Sequence, residues 1–363
     1  MRYNLHLDFL RYCFYTLFHS AKTLRRKILT NEVIPDRPSR KYLPLEILKT
    51  TAQTLGIEVE HLGSAAYEFR YRKITRRIRS NNLTNDQDSA FGFWACAHKH
   101  LTFGLLKKYG IKELPHNKLY SLSTIKEARR DFLARNKISV IKPCYGVSSG
   151  KGITVGVKNV RQLNRAIFNA LLYDTHYLIE DFVDGDHFRL LFYRDNFLGG
   201  LKRIPANVKG DGINNVRNLI KLENIRRSKD KSDISLYPIV IDNETKQTLA
   251  NNNMSFDYIP TEDETVYVKT TANFNAGGEV EEMSDIVNSD LIEKCSKIPK
   301  IMDISLAGVD IITKDITKPL AETGGVINEV NTSPSLEIHY KVRNQEQRTD
   351  VAREILKLMF RIE

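Results

Sequence analysis

The sequence predicts an α+β fold. Short β-branched runs are mixed irregularly with stretches of helical periodicity, and some of the runs pair as hairpins. That pattern suits helices packed on mixed or antiparallel sheets better than one doubly wound sheet. Two of the runs, Gly308-Val309-Asp310-Ile311-Ile312 and Val326-Ile327-Asn328-Glu329-Val330-Asn331, place polar side chains inside apolar strands. Alternate strand residues share a face, so Glu329 and Asn331 point the same way. With Asp310 on a neighbouring strand, three oxygen side chains converge. Hard cations such as Mg2+ take oxygen ligands of this kind, completed by water and phosphate oxygens. Taken singly, each residue reads as a solvent-facing strand position.

The whole chain sets the bounds. At 363 residues it is long for one domain, and two or three lobes are expected. With 41% apolar and 27% charged residues, it is neither disordered nor collagen-like. Cys13, Cys96, Cys144 and Cys295 are scattered without zinc or redox spacing, which fits a reducing compartment and a cytoplasmic location. No run of 18 apolar residues is present, and the N-terminus has no cleavable signal pattern. The formal charge is +11, and residues 1–80 hold 16 Lys/Arg against 7 Asp/Glu. Two clusters carry this excess: Arg25-Arg26-Lys27, and Arg70, Arg72, Lys73, Arg76, Arg77 and Arg79. A basic lobe implies an anionic partner, or else a solvated face.

The elements follow in order. Leu10, Phe14, Leu17, Phe18, Ala21, Leu24 and Ile28 keep helical spacing, so residues 4–28 read as an amphipathic helix. Packing on its own domain or a second subunit is preferred over peripheral membrane contact. Residues 31–43 read as a linker, a helix follows near 45–55, and strands are expected near 57–60 and 66–79. One helix is expected over 88–110, ending at Gly110, with Trp94 and its phenylalanine neighbours in the core. Within it, His98 and His100 are two apart, do not share a helix face, and are not read as metal ligands. Next come helix 124–135, strand 138–142, a Gly-rich loop, strand 153–157, helix 160–172 and strand 177–180. Residues 187–204 form a hairpin turning at Arg194-Asp195-Asn196. A polar stretch with a short helix near 215–225, strands at 265–270, a helix at 289–304, the two polar-faced strands and a helix at 347–361 complete the chain.

The loop Gly146-Val147-Ser148-Ser149-Gly150-Lys151-Gly152 can cover phosphates through backbone N–H groups, hydroxyls and a lysine. It is not a Walker A loop: three residues, not four, separate its glycines, and a strand follows it. Lys142 ends the strand before the loop, where a buried ammonium needs an anion. Ile179-Glu180-Asp181-Phe182-Val183-Asp184-Gly185 follows an apolar strand and turns, as a hinge with an open backbone edge would.

Taken together, a lysine before a Gly-rich β loop, a Glu-x-x-Val hinge, an Asp and a Glu-x-Asn resemble the ATP-grasp superfamily. Within it, the likeness is to the ATP-grasp domain of cyanophycin synthetase and of bifunctional glutathione enzymes. It covers roughly residues 95–340 and is most specific at Pro205 to Gly212, Thr271 to Gly278 and Leu320 to Gly325. The resemblance implies two α+β lobes gripping ATP, preceded here by a smaller basic N-terminal lobe, with divisions at 1–95, 96–200 and 201–363. It implies an ATP-dependent carboxylate–amine ligase working through an acyl phosphate. By position, Lys99 and Lys142 hold the α- and β-phosphates, and Gly146, Ser148, Ser149, Gly150, Lys151 and Gly152 cover the β- and γ-phosphates. Glu180, Asp181 and Val183 receive adenine, largely through backbone, with Asp186 and His187 near the ribose. Asp310, Glu329 and Asn331 hold two Mg2+, for which Mn2+ can substitute, and Arg189, Lys202 and Arg203 face the transferring phosphoryl.

The resemblance also implies amino acid or peptide substrates, acidic ones if the basic lobe recruits them, no nucleic acid, and a homo-oligomer. Departures are local. His187 stands at the ribose position, where the family carries an acidic residue, and Asn207 replaces its histidine after Pro-Ala. Lys269 and Thr270 replace an Arg pair, which marks a changed substrate. Neither a Mur-ligase-like domain nor a glutamate–cysteine ligase domain is present in these 363 residues. Two alternatives share the ATP residues: a kinase phosphorylating a polyol or carbohydrate, and a non-catalytic ATP-binding scaffold.

Overall fold

The computed structural model describes residues 43–80, 83–145, 152–229, 236–332 and 334–363. The helix expected at 4–28 and the loop residues 146–151 lie outside the described residues. The fold is mixed, with antiparallel sheets, as the α+β reading expects. Strands β1 (Glu58–Gly63), β2 (Ala66–Tyr71) and β3 (Ile74–Arg79) form a meander. Strands β4 (Asn117–Ser121), β5 (Ser139–Pro143), β6 (Thr154–Val157) and β7 (His176–Asp181) form a second sheet in the order β4-β7-β5-β6. The third sheet is built from β8 (Asp186–Tyr193), β9 (Asn196–Ile204), β12 (Glu279–Glu282), β13 (Leu306–Thr313) and β14 (Val326–Thr332), in the order β12-β9-β8-β13-β14. Between β9 and β12 the chain inserts a small two-stranded unit, β10 (Asn207–Lys209) and β11 (Thr265–Tyr267).

The helices complete each layer. They are α1 (Leu43–Thr54), α2 (Ala90–Ala97), α3 (Lys99–Lys108), α4 (Ile125–Arg135), α5 (Val160–Leu171), α6 (Val216–Lys229), α7 (Asn243–Asn251), α8 (Ser289–Ser296) and α9 (Ile298–Met302). After the short turn Leu320–Thr323, the last is α10 (Val351–Phe360). Helices α4 and α5 cover the four-stranded sheet through Ala128, Phe132, Leu163 and Ile167. Their apolar residues recur at helical spacing, so one stripe of each is buried.

The five-stranded sheet has two different faces. Phe188, Leu190, Phe192, Val309, Ile311 and Val330 point to one face and pack on α2, α3, α8 and α9. On the other face, Leu191, Tyr193 and Leu306 pack on α1, α10 and the meander. Farther along that second face, alternation brings up His187, Arg189, Arg203, Asp310, Glu329 and Asn331. The site is therefore the polar end of a half-covered sheet.

Three expectations are corrected. The single helix over 88–110 breaks at His98, whose backbone is extended (φ −106°, ψ 92°). His98 bridges Tyr145, and the Lys99 N–H donates to the Cys144 carbonyl at 3.1 Å, so pairing with the second sheet wins over helix continuation. Phe91, Phe93 and Trp94 are exposed, not core. Helix α2 buries its small residues Gly92, Ala95 and Cys96 instead, which turns the bulky ones outward. The helix over 289–304 splits into α8 and α9 at Lys297, just before the helix-starting Pro299.

Gly92 shows how close that packing is. A Cβ there would lie 2.1 Å from the Met302 carbonyl oxygen and 2.6 Å from that of Asp303. Alanine would gain about 1 kcal/mol of helix propensity, but overpacking against backbone costs about 1–3 kcal/mol. Gly92→Ala is expected to destabilise the fold by roughly 1–2 kcal/mol in urea unfolding. A variant as stable as the parent would show that α2 does not pack this tightly.

Candidate active site

Strand β13 lies between β8 and β14. Asp310 stands opposite Arg189 on β8 and Glu329 on β14, and Gly308 stands opposite Asn331. One strand further, His187 stands opposite Arg203. Asp310 is buried, and every contact to it comes from this face. Arg189 donates from Nε to Oδ1 at 2.6 Å and from Nη2 to Oδ2 at 2.8 Å. Arg203 Nη1 reaches Oδ2 at 3.1 Å, and Asn331 Nδ2 reaches it at 3.3 Å. Burial pushes the Asp310 carboxyl up, but Arg189 and Arg203 overcome it and hold the group below its usual range. Burial and then the Arg203 charge push the His187 imidazole down.

A second group of charges lies on the four-stranded sheet and at the start of α3. Lys142 ends β5 with its Nζ 2.8 Å from Glu180 Oε2, and each residue is only 3% exposed. Glu180 Oε1 is buried and has no hydrogen-bond partner among the described residues. Burial pushes the Glu180 carboxyl up; Lys142 and then Lys99 oppose this. Lys99 opens α3, and its Nζ lies 3.2 Å from Glu329 Oε1. The break at His98 is what aims this lysine at β14.

The oxygen set fits a hard cation. Asp310, Glu329 and Asn331 share a face, and the Asn331 amide nitrogen is spent on Asp310, which frees its oxygen. Among the described residues no three His, Cys, Asp or Glu converge, and the third oxygen of this set is an amide. Glu180 Oε1 fits a donor such as an exocyclic amine.

Other expected residues are placed differently. Lys202 stands opposite Phe188, so alternation turns it to the face away from Asp310, and its Nζ pairs with Asp186 Oδ2 at 2.6 Å. The structure therefore does not bring Lys202 to the site, and Asp186 is engaged by it. Asp181 pairs with Arg135, and its N–H already donates to the His116 carbonyl at 3.0 Å. The Phe182 N–H donates to Ile138 at 2.9 Å, which leaves Val183 as the half-buried hinge position. Gly152 takes φ +74°, where a side chain would also strike Pro143 and Tyr173. Gly146, Ser148, Ser149, Gly150 and Lys151 lie outside the described residues.

The sequence reading missed two buried groups on the same face. His339, in the 3-10 turn Leu336–Tyr340, has neither ring nitrogen partnered among the described residues, and the same holds for Glu282 Oε2. His339 Nδ1 and Ser284 Oγ each lie 3.4 Å from where a Gly199 Cβ would be. No periodicity marks a buried histidine in so short a turn.

Comparison with known proteins bears on this geometry. No protein-family profile matches the chain. Over 230 residues it is 30% identical to cyanophycin synthetase of Synechocystis sp., covering 61% of this chain and 25% of that protein. Over 304 residues it is 28% identical to the glutathione biosynthesis bifunctional protein GshAB of Listeria innocua, covering 82% of this chain and 38% of that one. The solved bifunctional glutathione synthetase from Pasteurella multocida superposes with a TM-score of 0.62 at 25% identity, over 88% of this chain and 44% of that one. The chain has the ATP-grasp fold. It spans between a quarter and two-fifths of the length of these curated relatives. In ATP-grasp terms, the four-stranded and five-stranded sheets are the two gripping lobes, and the Lys142–Glu180 and Lys99–Glu329 pairs lie where they meet. Among the described residues no helix is long and apolar enough to cross a membrane.

His339 makes stability depend on pH. Burial, then the Arg189 charge, pushes its imidazole down to about 3. Between that value and the unfolded value near 6.5, only the unfolded chain takes the proton. The contribution is intact above about pH 6.5 and is lost as pH falls. From pH 7 to pH 5 it should cost about 2 kcal/mol, and His339→Leu should remove that part of the slope in urea unfolding. Identical slopes in the two proteins would show that His339 titrates normally.

Proposed function

We propose that the chain is an ATP-dependent carboxylate–amine ligase. One observation carries this reading: two sheets of an ATP-grasp fold converge Lys99, Lys142, Arg189 and Arg203 beside the hard oxygen set Asp310, Glu329 and Asn331. Cations on one side and oxygen ligands on the other match what a nucleotide polyphosphate requires. Cyanophycin synthetase and bifunctional glutathione synthetase are ligases by name, which supports the reading over a kinase or a scaffold.

In the proposed reaction a substrate carboxylate oxygen attacks the γ-phosphorus of ATP, and the bond to ADP breaks. An amine then attacks the acyl carbon, phosphate leaves with the bonding pair, and the nitrogen loses a proton. Lys99 and Lys142 hold phosphates. Arg189 and Arg203 face the charge that builds on the transferring group and orient the acyl phosphate. Glu180 Oε1 accepts from the adenine amine, and Val183 borders the base. Asp310, Glu329 and Asn331 would hold two Mg2+, or Mn2+ in their place, whose positive charge would offset that of the phosphates. The Gly-rich segment 146–152 keeps water from the acyl phosphate.

The substrates proposed are amino acids or peptides, in a cytoplasmic homo-oligomer. The Arg70–Arg79 cluster is weak support for an acidic substrate. Glu68 pairs with Arg70 at 2.6 Å and with Arg77 at 2.9 Å, and Arg70 also reaches Glu60. Glu60 and Glu68 thus offset two of the six cations of the cluster, Arg70 and Arg77.

The test is phosphate release from ATP and Mg2+ across pairs of amino acids and short peptides, with mass spectrometry of the products. A product lighter than its two parents by one water is expected. Asp310→Asn should lower turnover per folded molecule by about a hundredfold or more, and should also cost about 3–5 kcal/mol of stability because Arg189 loses its buried partner. A phosphorylated hydroxyl compound without free phosphate would replace the ligase by a kinase.

A further inference from the structure

Lys269, Thr270 and Thr271 form a loop between β11 and the 3-10 turn Phe274–Ala276. Four donors of this loop converge on one oxygen. The N–H groups of Thr270 and Thr271 donate to Glu244 Oε1 at 3.2 and 3.0 Å, and their hydroxyls donate to it at 3.1 and 2.8 Å. The Lys269 ammonium, on a residue 1% exposed, lies 3.9 Å from Glu244 Oε2. Consecutive N–H groups, two hydroxyls and a buried cation make a nest for an anion. A carboxylate oxygen offers about two lone pairs, so four donors crowd Glu244 Oε1 while only Lys269 approaches Oε2.

The fold does not need Glu244 to hold these parts together. Asp242 caps α7, accepting from the Thr245 N–H at 3.1 Å, while the Thr245 hydroxyl accepts from the Asp242 N–H at 3.2 Å. Asp242 also holds the Lys269 ammonium at 2.5 Å. The helix end and the lysine are thus fixed by one residue, and Glu244 only fills the nest. Thr270 is exposed and Glu244 half-exposed, so the nest opens to solvent.

Its place relative to the reaction centre is informative. The Val268 N–H donates to the Ala206 carbonyl at 2.8 Å, and Ala206 lies three residues beyond Arg203. Three residues of chain span at most about 10 Å, so Ala206, on which Val268 docks, lies within that distance of Arg203. A short peptide of two or three residues spans that distance.

We propose that the Lys269-Thr270-Thr271 nest binds a carboxylate of the substrate, and that Glu244 is an internal stand-in which that carboxylate displaces. The substrate class is then an amino acid derivative or short peptide with a second free carboxylate, remote from the one activated. This assignment rests on the ligase reading. A substrate lacking the second carboxylate leaves Glu244 in place and gains nothing from the nest.

The test is calorimetric titration of succinate into the wild type, Glu244→Gln and the double variant Glu244→Gln/Thr270→Val. Succinamide serves as the uncharged control, and Mg-ATP binding is measured on the same samples. Glu244→Gln is expected to bind succinate about tenfold or more tightly than the wild type, with no gain for succinamide. Thr270→Val in that background should return the affinity to the wild-type level. Thr270 is exposed, so the double variant keeps the fold, which its unfolding midpoint checks. Equal succinate affinity in all three proteins, with Mg-ATP still bound, would overturn the nest and leave the ligase reading intact. Failure of the wild type to bind Mg-ATP would overturn the ligase reading, and the substrate assignment with it.

Discussion

The buried ion pair between Arg189 and Asp310 constrains the rest of the site. The Arg189 and Asp310 side chains are only 13% and 9% exposed, so each charge has lost most of its water. Burying either alone would cost several kcal/mol, and removing one partner of such a pair typically costs about 3–5 kcal/mol. The two-point contact fits the guanidinium fork to the carboxylate and fixes both orientations. It also fixes the register of β8 against β13. A slip of β13 by one residue would turn Asp310 to the apolar face beside Phe188 and Leu190 and leave Arg189 without its partner. Gly308 belongs to the same constraint. A Cβ there would lie 2.9 Å from Pro334 Cβ and 3.5 Å from Arg189 Cδ, so the glycine leaves room for the arginine stem.

The remaining charges are organised around this pair. Lys99 reaches Glu329 because α2 stops at His98 and the chain re-enters as α3 in a new direction. The stop is itself a contact with the second sheet, through the His98–Tyr145 bridge. Lys142 and Glu180 come from adjacent strands of that sheet and meet the Lys99–Glu329 pair edge to edge. The His98–Tyr145 bridge and the Lys99 N–H bond to the Cys144 carbonyl therefore tie the chain between α2 and α3 to the four-stranded sheet.

Much of the site could be read from the chain. The spacing of Glu329 and Asn331 put them on one face, and the β-branched run around Asp310 made it a strand residue; both hold in the structure. Lys142 was legible because a lysine ending an apolar strand demands an anion, although its partner here is Glu180. Lys202 was misplaced because it adjoins Arg203, and neighbours on a strand point to opposite faces. The core assignment of Trp94 failed because the hydrophobicity of a residue does not say which face of a short helix is buried. Glu244 and His339 carried no signal, since their partners lie 26 or more residues away in sequence or on another element.

By itself the sequence determined the local periods. They set which residues alternate on a strand and that helices begin near Ser89 and Asn159. These depend on backbone sterics and on groups within a few residues, so they are written along the chain. Only the tertiary structure decided which charge meets which. The choices of Arg189 for Asp310, Lys99 for Glu329 and Glu244 for the Lys269 loop depend on strand order and on a helix break imposed by another sheet. Desolvation acts on a group through everything packed around it, and that surrounding does not exist until the chain has folded.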